Sequence, residues 1–127
     1  MLLNAIFKPN YMKKLIPFLL ILLAGCKQPL PDIPSDVLPT EKMVKIIADM
    51  HIADAVAETK KAQEGKDNVA LTNEYYKQIY KIHNVSEEDF KRSYKFYEDN
   101  PGWMDQVYKG VITELSKKQA EVGQPIK

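Results

Sequence analysis

Apolar positions along the 127-residue chain fall into two regimes. At 15–23 they form one dense run, LIPFLLILL, broken only by Pro17. From Met43 onward they recur every three or four residues, the spacing that lines one face of an α-helix. Thr40 offers a side-chain oxygen to cap the first such helix, which is expected to reach Thr59 or Lys60. On a helical wheel Met43, Ile46, Ile47, Met50, Ala53 and Ala57 share one face. Ile52 and Val56 lie nearly opposite, so this helix is apolar over most of its circumference and belongs at the centre of the fold. Residues 61–68, KAQEGKDN, are polar around Gly65 and read as a solvent loop.

A second helix is predicted over 69–83, with Leu71, Tyr75, Ile79 and Ile82 as its stripe and Tyr76 and Tyr80 at the flanks. Asn84 suits a left-handed stop. Ser86 then caps a third helix, with Asp89 completing a start that resembles a capping box and Glu87 and Glu88 complementing the dipole. Phe90, Tyr94 and Tyr97 form its inner face. Asn100 as cap and Pro101 as first helical residue open a fourth helix to about Lys118. Its inward positions are Met104, Val107, Tyr108, Val111 and Leu115, with Trp103 at its start. Residues 119–127 read as a frayed polar tail. No stretch sustains the alternation of a strand. The expected fold class is all-α, a small bundle of about four helices over 40–118.

The segment before the bundle reads differently. Prolines at 29, 31, 34 and 39 exclude a helix and favour polyproline II, a spacer reaching up to about 40 Å at about 3.1 Å per residue. The dense run at 15–23 is about half the roughly 20 residues that a membrane-spanning helix needs. Lys13 and Lys14 precede it, and Leu23-Ala24-Gly25 leads to Cys26, the sole cysteine. This resembles a bacterial lipoprotein signal ending in a lipobox: residues 1–25 as leader, Cys26 as the lipidated first residue of a tether over 26–39. Met12 begins a compact leader by itself, so starts at Met1 and at Met12 both remain open. Acyl chains hold a protein on a membrane at about 0.8 kcal/mol per buried CH₂. Lys27 stands where an aspartate favours inner-membrane retention, and Lys27-Gln28-Pro29 lacks an acidic export run. The resemblance therefore implies an outer-membrane lipoprotein on the periplasmic side.

Loss of such a leader removes three of the 18 basic residues and none of the 17 acidic ones, taking the net charge from +1 to about −2. A mildly acidic surface argues against nucleic acid as a partner. With Cys26 committed to lipid, no disulfide can form and the bundle is held by packing alone. The sequence has no GxSxG, HExxH, CxxC or glycine-rich phosphate loop, and 86–89 lacks the ligand pattern of a calcium loop. An enzyme is not expected, nor any cofactor beyond the lipid on Cys26.

One polar group interrupts the first helix. His51, Asp54 and Glu58 lie within about a sixth of a turn on the wheel, and Asp54 falls beside Ile47 and Met50. A lone charge there would cost several kcal/mol, so something must answer it. A structural network with tyrosine hydroxyls of neighbouring helices is one reading. A small-molecule or partner site is a second. A metal or catalytic site is a third, with His83 as the available ligand from another helix. His83 otherwise suits the end of the second helix, where a cationic imidazole complements the dipole. Tyr76, Tyr80 and Phe96, at the edges of their stripes, are candidates for a recognition surface.

Two segments carry a wider resemblance. Leu38-Pro39-Thr40-Glu41-Lys42-Met43, continuing through Ile46-Ile47-Ala48-Asp49-Met50-His51-Ile52-Ala53-Asp54-Ala55, resembles the opening of a lipoprotein family of Bacteroidota, domain of unknown function 4296. Tyr75-Tyr76, Ile82-His83-Asn84-Val85-Ser86, Phe90, Tyr94, Tyr97 and Asn100-Pro101 resemble its second half, so the likeness covers most of 39–115. The resemblance singles out the Asp-x-His stretch, here Asp49, Met50 and His51, with either Asp54 or Glu58 at a following acidic position. Asn84 departs from the glycine common at that turn. The family carries no assigned reaction. The expectation is a membrane-anchored, non-enzymatic module that binds another envelope protein through a face including Asp49, His51, Asp54 and Glu58. The alternative is a small-ligand or metal-binding domain built on the same polar face.

Overall fold

The computed structural model describes residues 29–65 and 67–123, so the expected leader and Cys26 lie outside the described residues. The described chain forms four helices and no strand: α1 Thr40–Glu64, α2 Asn68–Ile82, α3 Glu87–Asp99 and α4 Pro101–Val122. This is a small all-α bundle. Helix α1 lies at its centre, packed against α2, α3 and α4. Its predicted inner face is buried throughout, from Met43 through Ile46, Ile47, Met50 and Ala53 to Ala57, joined by Ala48.

Helix boundaries follow local chemistry, and several differ from expectation. The loop expected over 61–68 shrinks to a short turn, because Lys61, Ala62, Gln63 and Glu64 are good helix formers that nothing interrupts before Gly65. There the chain turns left-handed at φ 66°, and the Gly65 N–H caps Lys61 O. Asp67 rather than a later residue starts α2, its carboxylate accepting from Val69 N at 2.9 Å. Helix α2 ends in a Schellman motif: Asn84 at φ 51°, with Val85 N bonded to Tyr80 O and Asn84 N to Lys81 O. Ser86 caps α3 as predicted, its Oγ 3.0 Å from Asp89 N. Thr40 does not cap α1, since Pro39 holds that position and the Thr40 hydroxyl meets Tyr97 Oη at 3.2 Å. Nor does the Asn100 side chain cap α4; its amide donates backwards to Phe96 O at 2.7 Å and closes α3. Helix α4 continues past Lys118 to Val122, into the stretch expected as tail.

Two inward assignments also change. On α2 the buried pair is Ile79 and Tyr80, while Ile82 is 76% exposed. Tyr80 instead packs its ring 5.6 Å from Phe90 of α3, so the aromatic seam draws α2 round from its aliphatic stripe. On α4 Val107 and Val111 are buried, but Tyr108 is exposed.

The largest correction concerns the tether. Residues 29–39 do not stand free as a spacer; they form a strap docked on α3 and α4. Val37 is buried in the core. The Leu38 N–H donates to Ser93 Oγ at 2.8 Å, and Tyr97 Oη donates to Leu38 O at 2.8 Å. The Arg92 guanidinium holds Asp36 O through two N–H groups at 2.9 and 3.1 Å. Trp103 Nε1 donates to Pro31 O at 2.8 Å, and Leu30 lies directly against Gly102. The prolines still keep the segment extended, but Val37 and Leu38 give it apolar and backbone groups that find partners in the bundle.

Close approach of α1 and α4 depends on Gly110, where a methyl group would stand 2.5 Å from Val44 Cγ2. Gly110→Ala should gain up to about 1 kcal/mol of helix propensity but lose more, about 1–3 kcal/mol, to the clash. The net expectation is a lower urea midpoint. Adding Val44→Ala should reverse the sign, making the double variant more stable than Val44→Ala alone.

Candidate functional site

The polar residues singled out on α1 separate into three places. Asp49 joins three helices. Its Oδ2 lies 2.7 Å from His83 Nε2 at the end of α2, and its Oδ1 accepts from Lys118 Nζ of α4 at 2.9 Å. Helices α2 and α4 otherwise pack mainly on α1, so this carboxylate is the polar bridge between them. Burial opposes its ionisation, but the hydrogen bonds and fields of Lys118 and His83 prevail and hold the carboxyl below its ordinary 3.8. Its bond in turn raises the Lys118 ammonium above its ordinary value. His83 thus closes α2 as expected, but it turns its imidazole to a carboxylate of another helix.

Asp54 is exposed, not set in the core. Its oxygens accept from Tyr76 Oη of α2 at 2.9 and 3.1 Å. Burial first, and then Asp54, push the Tyr76 phenol up to about 12. The predicted tyrosine partner is therefore present. His51 is exposed on the rim of a small hollow that Asp54 and Tyr76 also line, beside Tyr94 and Tyr108, and makes no hydrogen bond or ion pair among the described residues. Glu58 serves elsewhere, accepting from Asn68 Nδ2 at 2.9 Å and stitching α1 to the start of α2. His51, Asp54 and Glu58 do not converge on a shared ligand. Among the described residues no three His, Cys, Asp or Glu side chains come close enough to hold a metal ion.

The aromatic edges are likewise occupied. Tyr76 is bound to Asp54, Tyr80 is buried, and Phe96 sits edge-on to Tyr97 with centroids 5.5 Å apart. What remains open is apolar. Ile52 and Val56, each 40% exposed, form a ridge on α1 between α2 and α4. On the α2 side a groove of about 260 Å³ runs beside Tyr75, Ile79 and Ile82, with Asp49 at its end. On the α4 side a wider hollow of about 540 Å³ reaches Leu115, Thr59 and Lys60. Sequence patterning marked Ile52 and Val56 as a second apolar face of a central helix, but periodicity cannot say which of two apolar faces will be left uncovered.

A family model, Domain of unknown function (DUF4296), matches residues 34–121. The chain belongs to the DUF4296 family. The match agrees with the resemblance carried by the two helical segments and spans most of the described fold. No curated protein and no solved structure matches the chain. In this DUF4296 domain the match begins inside the docked strap, before α1, and ends one residue short of Val122. The strap from 34 onward is thus part of the family unit. The Asp-x-His stretch divides its labour: Asp49 turns inward to bridge α2 and α4, while His51 faces solvent.

Asp49→Asn should lower stability by about 1–2 kcal/mol, as loss of charge-assisted hydrogen bonds does. Because the folded carboxyl is lowered, its contribution is complete above about pH 4 and lost as pH falls through the lower folded value. The raised Lys118 contributes below its ordinary 10.5 and loses its share as pH climbs through the higher folded value. Chemical denaturation from pH 2 to 7 should therefore show a steeper acid loss in wild type than in Asp49→Asn. His51→Ala, by contrast, should move the denaturation midpoint by no more than about 0.5 kcal/mol.

Proposed function

We propose that this protein is a non-enzymatic, lipid-anchored module of the cell envelope, outer-membrane and periplasmic-facing, that binds a helix of another envelope protein. The anchor reading is supported by the lipobox-like Leu23-Ala24-Gly25-Cys26 and the short apolar run before it. Among the described residues no helix is long and apolar enough to cross a membrane. The observation that carries the binding reading is the uncovered ridge of Ile52 and Val56, continued across the groove by Ile82. Scattered exposed apolar residues are ordinary, but a contiguous line of them between two helices is a site for a further helix. Along α1 the open line from Asp49, on the α2-side groove, to Lys60, on the α4-side hollow, runs about 16 Å at 1.5 Å per residue, or three helical turns. Lys60, over the Tyr75 ring, brings an ammonium to one end, while at the other Lys118 is already paired with Asp49. The fitting partner is an amphipathic helix with an i, i+3/i+4, i+7 apolar stripe and an acidic residue at the Lys60 end. The ligand or metal alternative has no comparable support, since His51, Asp54 and Glu58 face different neighbours.

A photo-cross-linking residue at Val56, compared in living cells with one at exposed Glu98, tests the surface. The expected outcome is a discrete adduct at Val56 only, abolished by Ile52→Lys, whose cross-linked peptide is an acidic amphipathic helix. Equal labelling at both positions, or an adduct indifferent to Ile52→Lys, would sink the proposal.

A further inference from the structure

We infer that the bundle sits directly on the membrane surface, with the end bearing Leu30, Gly102 and Trp103 against the lipid headgroups. The inference rests on the lipid-anchor reading of Cys26 and gives it an orientation. A free proline-rich tether would hold the domain well clear of the bilayer, but the strap is consumed by docking. Trp103 Nε1 is bonded to Pro31 O, and Leu30 is seated against Gly102. Further along, Arg92 grips Asp36 O, Ser93 Oγ accepts from the Leu38 N–H, and Tyr97 Oη donates to the Leu38 carbonyl.

Four peptide steps then separate Cys26 from Leu30, and five separate it from Pro31. At no more than about 3.6 Å per residue, these are reaches of about 14 and 18 Å. The reach to Leu30 is only about one to one and a half helix diameters, and it is an upper limit set by full extension. An acylated Cys26 lies at the headgroup boundary, so the start of α4 has no room to leave it. The residues at that end suit the position. Leu30 is 38% exposed, and Trp103 presents an indole whose N–H is already satisfied within the fold. Half-buried indoles and exposed leucines are compatible with the polar–apolar boundary of a bilayer. The occupant is therefore the bilayer in which the protein's own lipid is inserted.

Trp103 is the sole tryptophan, which makes it a built-in probe. Full-length lipidated protein is reconstituted in phosphatidylethanolamine vesicles carrying a dansyl-labelled headgroup lipid, and energy transfer from Trp103 is read. A second protein carries 20 Gly-Ser residues between Lys27 and Gln28, outside the docked strap; such an insert adds a root-mean-square reach of about 25 Å. Helicity by circular dichroism and the acyl mass on Cys26 are recorded for both. The expected result is efficient transfer in wild type and a loss of about threefold or more in the insertion protein, with equal helicity and vesicle binding. Acylated proteins with equal transfer would overturn the membrane-apposed orientation and leave the anchor standing. An unmodified Cys26 would instead remove the anchor, and the orientation with it.

Discussion

Helix α1 has more apolar surface than any single neighbour can cover, and the rest of the fold is arranged around that constraint. Burying a large aliphatic or aromatic side chain contributes about 1.5–3 kcal/mol, so Met43, Ile46, Ile47 and Met50 together contribute about 6–12 kcal/mol from this one face. Each flank is covered by a different element. Ile79 and Tyr80 of α2 close one side, Val107 and Val111 of α4 close another, and Phe90 and Tyr97 of α3 close a third. The strap seals the first turn of α1, where Val37 enters the core and Tyr97 bonds Leu38 O.

Polar contacts then set how these covers meet. Ser93 is fully buried yet satisfied, accepting from Leu38 N and donating to Asp89 O at 2.6 Å. A buried hydroxyl without partners would be costly; here it serves both the strap and its own helix. Asp49 does the corresponding work at another flank, where the fields of His83 and Lys118 offset its desolvation. No buried side-chain nitrogen or oxygen among the described residues lacks a partner. The ridge of Ile52 and Val56 is what this arrangement leaves over, since α2 and α4 cover α1 from its two sides and leave the line between them open.

The helices and most of the core were legible because both obey local rules: apolar spacing on α1, serine at the start of α3, asparagine at the left-handed turn. The errors arose where tertiary partners decide. Thr40 and Asn100 have cap chemistry, but each found another partner, Tyr97 Oη and Phe96 O. The wheel put Asp54 in the core because it counts angles on one helix and cannot see that Tyr76 reaches in from α2 to meet it outside. The polar bridge was half visible: Asp49 and His83 were both marked, but for different roles, and Lys118 looked like the end of a helix. Nothing in the proline spacing of 29–39 distinguishes a free spacer from a docked strap; that depends on Ser93, Tyr97 and Trp103, far away in sequence.

That distance has a consequence for the order of assembly. The strap's bonds join Leu38 to residues 55 and 59 positions later and Pro31 to one 72 positions later. Contacts of such separation close long loops, and their entropy must be met before the contacts can contribute. Helices α1 and α2 can pair as a local hairpin, but the strap has no surface to bind until α3 exists and α4 has begun. A chain emerging from its N-terminus therefore secures its first described residues last: Asp36 and Leu38 wait for Arg92, Ser93 and Tyr97, and Pro31 waits for Trp103.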